Sequence, residues 1–195
     1  MSKQQQAPGE LERVRAFVNT FELDTACEQL ASATELAEWL VGRDLAPAGT
    51  RATPADLRRA KQLRESVRRI LLAHTAGTPA PPDAFRTFDR IAARARLTLR
   101  FDERGRARLE PAAGGVDAAL GRLLEIIYGA IADGTWDRMK ACREHTCEWA
   151  FYDHTKNRSG TWCTMQVCGN RTKARSYRKR RARGDTPVNA EAGQT

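Results

Sequence analysis

The sequence predicts a mainly α fold, in which a helical N-terminal domain with one small β-hairpin precedes a small module with four cysteines and a basic C-terminal helix. Three observations predict this class. Apolar residues recur at helical spacing in most segments between residues 10 and 134. One segment instead alternates apolar and polar residues. Four of the five cysteines lie within residues 142–168, directly before a run of Lys and Arg.

Helical spacing and capping residues mark the first two helices. Apolar residues recur every three or four positions from Leu11 to Phe21, which predicts a helix there. Ser32 and Glu35 have the spacing of a capping box, in which each side chain bonds to the other residue's backbone N–H. Gly42 is expected to end this second helix.

Three further helices follow in the same domain. Thr53 as N-cap and Pro54 at the first helical position begin the third, which is expected to end before Gly77. The connector GTPAPPD leads to a fourth helix, marked by apolar residues at 85, 88, 91 and 92. The fifth is the most strongly apolar and runs from about Val116 to Gly134.

The alternating segment predicts a β-hairpin between the fourth and fifth helices. Leu97, Leu99 and Phe101 alternate with polar residues, and Ala107 and Leu109 alternate again after a short polar turn. We therefore expect a flexible N-terminus over 1–9, a helical domain over 10–134, a four-cysteine module over 138–183 and a disordered tail over 184–195.

The positive charge of the chain is concentrated in its C-terminal quarter. Residues 138–183 contain 13 Lys or Arg and 3 Asp or Glu, whereas the remainder contains 20 and 21, so the net charge of +9 arises there. This asymmetry indicates a polyanionic partner, nucleic acid rather than membrane. No apolar run approaches the ~20 residues of a membrane span, and MSKQQQAPGE lacks the apolar region of a secretory signal. We expect a cytoplasmic protein.

The N-terminal domain contains no recognisable catalytic motif. It has no Gly-rich phosphate loop, nucleophile elbow or pair of carboxylates at catalytic spacing, so we do not expect an enzyme. His74 is expected at the surface or as a helix cap. Cys27 is expected to be a small buried residue.

The spacing of the other four cysteines is that of a metal site. Two pairs with four intervening residues are separated by a loop: Cys142, Cys147, Cys163 and Cys168. A Zn²⁺ ion takes four such thiolates tetrahedrally, so we expect one structural zinc ion. Lys140, Arg143 and Arg171 could offset the negative charge of the thiolates. Because a module of ~45 residues cannot bury enough apolar surface, the metal is expected to stabilise its fold.

Other interpretations of the cysteines remain open at this point. The four could be free thiols, two disulfides or ligands of an iron–sulfur cluster, although an odd cysteine count argues against a disulfide framework. His145 or His154 could replace one thiolate. The aromatic residues Trp149, Phe151, Tyr152 and Trp162 are expected to cover the metal.

The residues after the last cysteine predict a basic helix. Gly169 suits a tight turn and Asn170 an N-cap, so the helix should run from Arg171 to about Arg183. The basic residues that we expect to contact nucleic acid are Arg158, Arg171, Lys173, Arg175, Arg178, Lys179, Arg180, Arg181 and Arg183. A solvated basic tail that aids solubility is the alternative.

Residues 142–183 resemble the CGNR zinc finger, whose name matches residues 168–171. Further matching positions are Phe151, Asp153, Asn157, Arg158, Trp162-Cys163, Met165, Lys173, Ala174 and Tyr177. The segments FVNTFELD and DLRRAKQLRESVRRIL resemble the ABATE domain that accompanies this finger. Gly160-Thr161 departs from the pattern, which has basic residues there.

The resemblance implies a bacterial, stress-induced transcription regulator whose finger binds DNA, with the four cysteines as zinc ligands. The helical domain would then sense a small-molecule effector or form a homodimer. The alternative is an RNA-binding finger in which Trp149 or Tyr152 stacks on bases. A third class, an enzyme in the helical domain with the finger as its anchor, has no motif in its favour.

Overall fold

The computed structural model describes residues 6–182, except for the side chains of Ser176 and of residues 179–182. The helices within this range are α1 (Leu11–Val18), α2 (Ala33–Gly42), α3 (Pro54–Ala76), α4 (Pro82–Ala95), α5 (Gly115–Ala132) and α6 (Asn170–Ala182). The strands are β1 (Phe21–Glu22), β2 (Cys27–Glu28), β3 (Leu97–Phe101), β4 (Ala107–Pro111), β5 (Met139–Ala141) and β6 (Ala150–Tyr152). They form three antiparallel pairs, β1–β2, β3–β4 and β5–β6. The predicted mainly α class is confirmed.

The predicted capping box at the start of α2 is present, and α3 begins with a second one that includes the predicted N-cap, Thr53. The backbone N–H of Glu35 donates to Ser32 Oγ at 3.2 Å, and the N–H of Ser32 donates to Glu35 Oε2 at 2.6 Å. At the start of α3, Thr53 and Asp56 form the same reciprocal pair. These side chains satisfy N–H groups that the first helical turn leaves without a partner, so the starts of α2 and α3 are set locally.

The first helix is shorter than predicted. It ends at Val18 rather than near Phe21, because the next two polar residues bond elsewhere. The hydroxyl of Thr20 donates to the carbonyl of Phe17 at 2.8 Å, and the amide of Asn19 bonds to the backbone of β6. Both residues are buried.

The apolar faces of the helices share one core with the β5–β6 pair. Phe17, Leu63 and Leu120 are fully buried in it. The same core includes four residues of the two strands, Met139, Ala141, Ala150 and Tyr152. The strands on either side of the first cysteine pair therefore pack in the same core as the helices.

The predicted hairpin is confirmed as β3–β4. Leu99 lies opposite Leu109, and Phe101 lies opposite Ala107. Gly121 on α5 lies under the hairpin, and a Cβ there would be 2.5 Å from that of Ala95, so only glycine fits. No helix in the described part of the chain has the length and apolar character needed to cross a membrane.

The chain divides into two compact units after Cys163. The first contains α1 to α5 and all three strand pairs. In the second, a π-helical turn (Met165–Gly169) leads directly into α6. The predicted domain limits, 10–134 and 138–183, remain predictions, as does disorder in the tail, which lies outside the described residues.

Candidate metal centre and basic helix

Strands β5 and β6 position the first cysteine pair. Cys142 directly follows β5, and Cys147 lies three residues before β6. The N–H of Cys142 donates to the carbonyl of Trp149 at 2.9 Å, and the N–H of Cys147 donates to that of Glu144 at 2.8 Å. We call residues 142–147 the first knuckle and residues 163–168 the second knuckle.

Side chains of α3 and of the residue after α1 fix both strands to the helical body. Asn19 donates to the carbonyl of Ala150 at 2.9 Å and accepts from its N–H at 2.8 Å, like a neighbouring strand. The hydroxyl of Thr75 donates to the carbonyl of Ala141 at 2.7 Å and accepts from its N–H at 3.2 Å. These bonds satisfy the outer edges of a pair that would otherwise be too short to be stable.

Arg68 of α3 connects the body to the first knuckle directly. It is 2 % exposed, and its guanidinium donates to the carbonyl of Glu148, the residue after Cys147, at 2.9 Å. Its other donors bond to the carbonyls of Val18 and Phe21 and to the carboxylate of Glu65. Glu148 has a φ of 45°, so this contact fixes a residue in the left-handed region.

A buried ion pair shapes the loop between the knuckles. The ammonium of Lys140 donates to Asp153 Oδ2 at 2.8 Å and also to the carbonyls of Arg158 and Gly160. Asp153 also accepts the N–H and hydroxyl of Thr155 and the N–H of Gly160. Lys140 was expected to offset thiolate charge, but its charge is paired with Asp153. Although burial opposes ionisation, the bonds from Lys140 and Thr155 lower the pKa of Asp153 to about 2.

The same network explains the departure at Gly160-Thr161. A Cβ on Gly160 would lie 2.8 Å from Cγ of Asp153, so any side chain would displace the carboxylate. The carbonyl of Thr161 accepts the N–H of Arg143 at 2.9 Å, which connects the loop to the first knuckle. Both residues therefore have a structural role in this chain.

The four cysteines of the two knuckles are brought together. Their sulfur atoms all lie within 4.8 Å of one another, and those of Cys147 and Cys163 are 3.6 Å apart. Tetrahedral zinc with Zn–S bonds of about 2.3 Å places its sulfur ligands roughly 3.8 Å apart. Four thiols at this separation fit one zinc ion and leave no position for a catalytic water.

Hydrogen bonds within the cluster favour negative charge on one sulfur. Bonds from the thiols of Cys147 and Cys163 lower the pKa of Cys142 to about 2. The bond to Cys142 raises the pKa of Cys147 to about 12, and that of Cys163 is raised for the same reason. Thiolates within 4.8 Å of one another repel, so a bound divalent cation is needed to stabilise more than one of these cysteines in its charged form.

Backbone N–H groups also point at two of the sulfurs. Cys142 accepts from the N–H groups of Cys163 and Glu144, and Cys147 accepts from that of Trp149. The N–H donors of Glu144 and Trp149 each lie two residues after the cysteine to which they bond. These bonds stabilise thiolates and orient the sulfurs, as the outer contacts of a metal site do.

The second unit supplies Cys168 from the π-helical turn. The N–H of Cys168 donates to the carbonyl of Thr164 at 3.1 Å. The predicted N-cap role of Asn170 is wrong, because the π-helical turn runs into α6 without a cap and Asn170 is its first residue. The side chain of Asn170 instead donates to the carbonyl of Gln166 at 3.0 Å.

The structure places most of the predicted basic residues on α6. Arg171, Lys173 and Arg178 are exposed and Arg175 is half-buried. Lys179, Arg180 and Arg181 lie on the same helix by their backbone, and Arg183 is outside the described residues. Arg158 is exposed in the loop between the knuckles, in the first unit. Contacts of any of them with nucleic acid remain a prediction.

The remaining candidates have structural positions. Tyr152, expected to cover the metal or stack on bases, is buried in the core of the body, and Trp149 is half-buried. His145 is exposed, and His154 contacts the carbonyl of Gln6 at 2.9 Å, so neither joins the sulfur cluster. The expectation for Cys27 is wrong, because it is exposed on β2.

His74 also differs from its predicted role. It is half-buried, with Nδ1 2.9 Å from the carbonyl of Met139 at the start of β5. Its ring makes an edge contact with that of Trp136, at 5.6 Å between centroids. It is therefore a third contact between α3 and β5, beside those of Thr75.

Sequence reasoning missed the residues that attach the first knuckle to the body. Asn19 and Arg68 lie within the two segments that resemble the ABATE domain. Their common signal is a polar residue next to a buried apolar stripe. That signal indicates a buried hydrogen-bond partner, but it does not identify the partner.

Two family models match the sequence. One, ABATE, described as "Putative stress-induced transcription regulator", matches residues 12–136, and the CGNR zinc finger matches residues 138–181. A search of curated proteins finds no match. The descriptions name a regulator and a zinc finger, not an enzyme. With four cysteines grouped in the finger, the fold contains a site for one structural Zn²⁺. The chain belongs to the ABATE family and carries a CGNR zinc finger at its C-terminal end.

Proposed function

We propose that this chain is a zinc-dependent, DNA-binding transcription regulator. Cys142, Cys147, Cys163 and Cys168 bind one Zn²⁺, and the basic side chains of α6 contact the phosphate backbone. The observation that carries the proposal is the sequence of elements in the second unit, where a cysteine-bearing π-helical turn continues without a break into a helix rich in Arg and Lys. Any ion bound at Cys168 therefore orients the first turn of that helix.

The charge of α6 explains why such a helix needs a polyanion. Its residues 170–182 contain seven Lys or Arg and no acidic residue. Neighbouring cations on a helix face repel one another, and phosphate neutralises them. If about 5 to 7 cations meet phosphates, the logarithm of the affinity should fall with the logarithm of salt at a slope of about −5 to −6.

Fluorescence anisotropy with labelled duplex DNA tests this role. Arg175→Ala/Arg178→Ala should lower affinity by about tenfold or more at moderate salt and reduce the salt slope by about 1.8, two phosphate contacts. Arg51→Ala/Arg58→Ala is the matched control, because it removes the same charge from exposed positions of the helical body. Equal affinities of the two double variants would contradict a specific role of α6.

Zinc dependence and the choice of nucleic acid are separate parts of the test. A chelator should abolish binding and added Zn²⁺ should restore it, because the ion orients α6. Competition by a structured RNA that is stronger than competition by duplex DNA would favour the RNA-binding alternative.

The helical body is proposed to sense an effector or to dimerise. A pocket of about 710 Å³ between the residues before α1, the end of α2 and α5 offers room for a small molecule. Glu125 and Arg122 line it. Burial raises the pKa of Glu125, and the nearby Glu110 adds to the effect.

A further inference from the structure

The hairpin β3–β4 has one wholly apolar face. Its opposed pairs on that face are Leu97 with Pro111, Leu99 with Leu109, and Phe101 with Ala107, whereas the other face pairs Thr98 with Glu110 and Arg100 with Arg108. The base of the apolar face packs on α5, where Leu97 lies near Gly121. Towards the tip the face is uncovered, since Leu99 is 51 % and Phe101 67 % exposed.

The edge of β3 is also open along its backbone. The N–H of Ala112 donates to the carbonyl of Arg96, and the N–H of Asp102 donates to that of Arg106, which places the internal bonds of the hairpin at even-numbered residues of β3. The N–H and C=O groups of Leu97, Leu99 and Phe101 therefore point away from β4. No hydrogen bond from another described element reaches them.

We propose that this edge pairs with the same edge of a second copy of the chain. The pairing is antiparallel around a two-fold axis at Leu99, and it joins the two hairpins into one four-stranded sheet. Leu99 then lies opposite Leu99 of the second copy, and Leu97 lies opposite Phe101. On the other face Thr98 lies opposite Arg100, so every pair matches in polarity and no like charges are directly opposed.

Two features favour a second copy on β3 over pairing through β4. All three outward positions of β3 have an N–H, whereas one of the three on β4 is Pro111, which has none. The register is also self-complementary, as a two-fold interface requires. Strands of five residues bury less than the roughly 800 Å² per partner of a standard interface, so we expect a dimer that dissociates at about micromolar concentration.

Sedimentation equilibrium of the zinc-loaded full chain tests the proposal. Between about 1 and 200 μM, a range that brackets a micromolar dissociation constant, the mass should rise from 21.7 kDa towards twice that value. Leu99→Pro removes one outward N–H and leaves the internal bonds of the hairpin intact, so it should remain monomeric. Leu109→Pro removes the equivalent N–H on β4 and should still dimerise. A monomeric wild type at the highest concentration, or loss of dimer only in Leu109→Pro, would overturn the proposal.

A second pair of variants covers the case in which both prolines disrupt the hairpin. Leu99→Lys places two ammonium groups opposite each other at the axis, whereas Leu99→Gln removes the same apolar contact without charge. The dissociation constant of Leu99→Lys should exceed that of Leu99→Gln by about fivefold at low salt, and the difference should shrink at high salt. Equal constants at low salt would place Leu99 away from the axis and overturn the register.

Discussion

Each knuckle has two cysteines separated by four residues, but different parts of the protein hold the two knuckles in place. The first is flanked by β5 and β6, four of whose six side chains lie in the core of the helical body. Asn19, Thr75 and Arg68 bond to the backbone around it. The second begins at Cys163, the last residue of the first unit, and continues into the second unit.

This difference indicates where the metal should matter most. A finger of ~45 residues was expected to depend on zinc because it has no core of its own. The strands that flank the first knuckle share the core of the body, so we expect its backbone to keep its structure without metal. The dependence on zinc should therefore be concentrated in residues 164–182, where the ion provides what packing provides for the first knuckle.

Removal of zinc should give the largest effect and the sharpest test of this comparison. With a chelator, hydrogen exchange should show amide protection within 165–182 falling by about 100-fold or more, because structural zinc contributes on the order of 10 kcal/mol. Protection of β5 and β6 should fall by less than about tenfold, since the helical body fixes them. Equal loss in both regions would show that the first knuckle also requires the ion.

Removing the guanidinium of Arg68 should instead destabilise the helical body and the first knuckle. Arg68→Met leaves the carbonyls of Val18, Phe21 and Glu148 without their donor in a buried position, so it should lower the free energy of unfolding by about 3 to 5 kcal/mol. The next residue provides a matched control. Arg69→Met removes an exposed pair with Asp83, so it should change the free energy of unfolding far less than Arg68→Met does. Urea unfolding measures both, and similar values would contradict the role of Arg68.

Acid should weaken the loop between the knuckles only below pH 4. Because the folded pKa of Asp153, about 2, is lower than its ordinary value of 3.8, this carboxylate stabilises the fold above pH 4. That stability is lost as the pH falls from about 4 to 2, and it amounts to about 2 kcal/mol. The difference in unfolding free energy between wild type and Asp153→Asn should shrink by this amount across that range. A constant difference would contradict the buried ion pair.

Two glycines compare the two units directly, and one of them should give the smallest effect. In Gly160→Ala the new Cβ would meet the fixed carboxylate of Asp153, so the substitution should cost about 1 to 3 kcal/mol. In Gly169→Ala it would meet Sδ of Met165, which is half exposed and can move, so the cost should be below about 1 kcal/mol. Thermal unfolding of the zinc-loaded protein ranks them, and a larger cost at Gly169 would contradict the comparison.

Local signals predicted much of the fold. Capping boxes are set by residues three apart, and the hairpin by alternation across a short turn, so both follow from the sequence alone. The cysteine spacing likewise predicted the sulfur cluster, because four thiols in two pairs have few other common uses. The capping boxes and the hairpin depend on residues that are close in the sequence, and the sulfur cluster depends on the preference of zinc for four thiolates.

The unpredicted features depend on partners far apart in the sequence. Asn19 bonds to a residue 131 positions away, and Arg68 to one 80 positions away. The early end of α1 follows from the first of these contacts, because it outweighs the helical preference of the apolar residues nearby. The π-helical turn was missed for another reason: its period differs from that of a normal helix, and the glycine within it resembles a turn residue.

The bond from Arg68 to the carbonyl after Cys147 also makes heat and metal act on the same equilibrium. Melting of α3 would release the backbone that orients the thiolate of Cys147 and would lower the affinity for zinc. By thermodynamic linkage, bound zinc raises the melting temperature of α3, although this helix does not contact the ion. Melting of α3 and loss of the ion would thus both loosen the first knuckle, through Arg68 together with the contacts of Thr75 and His74.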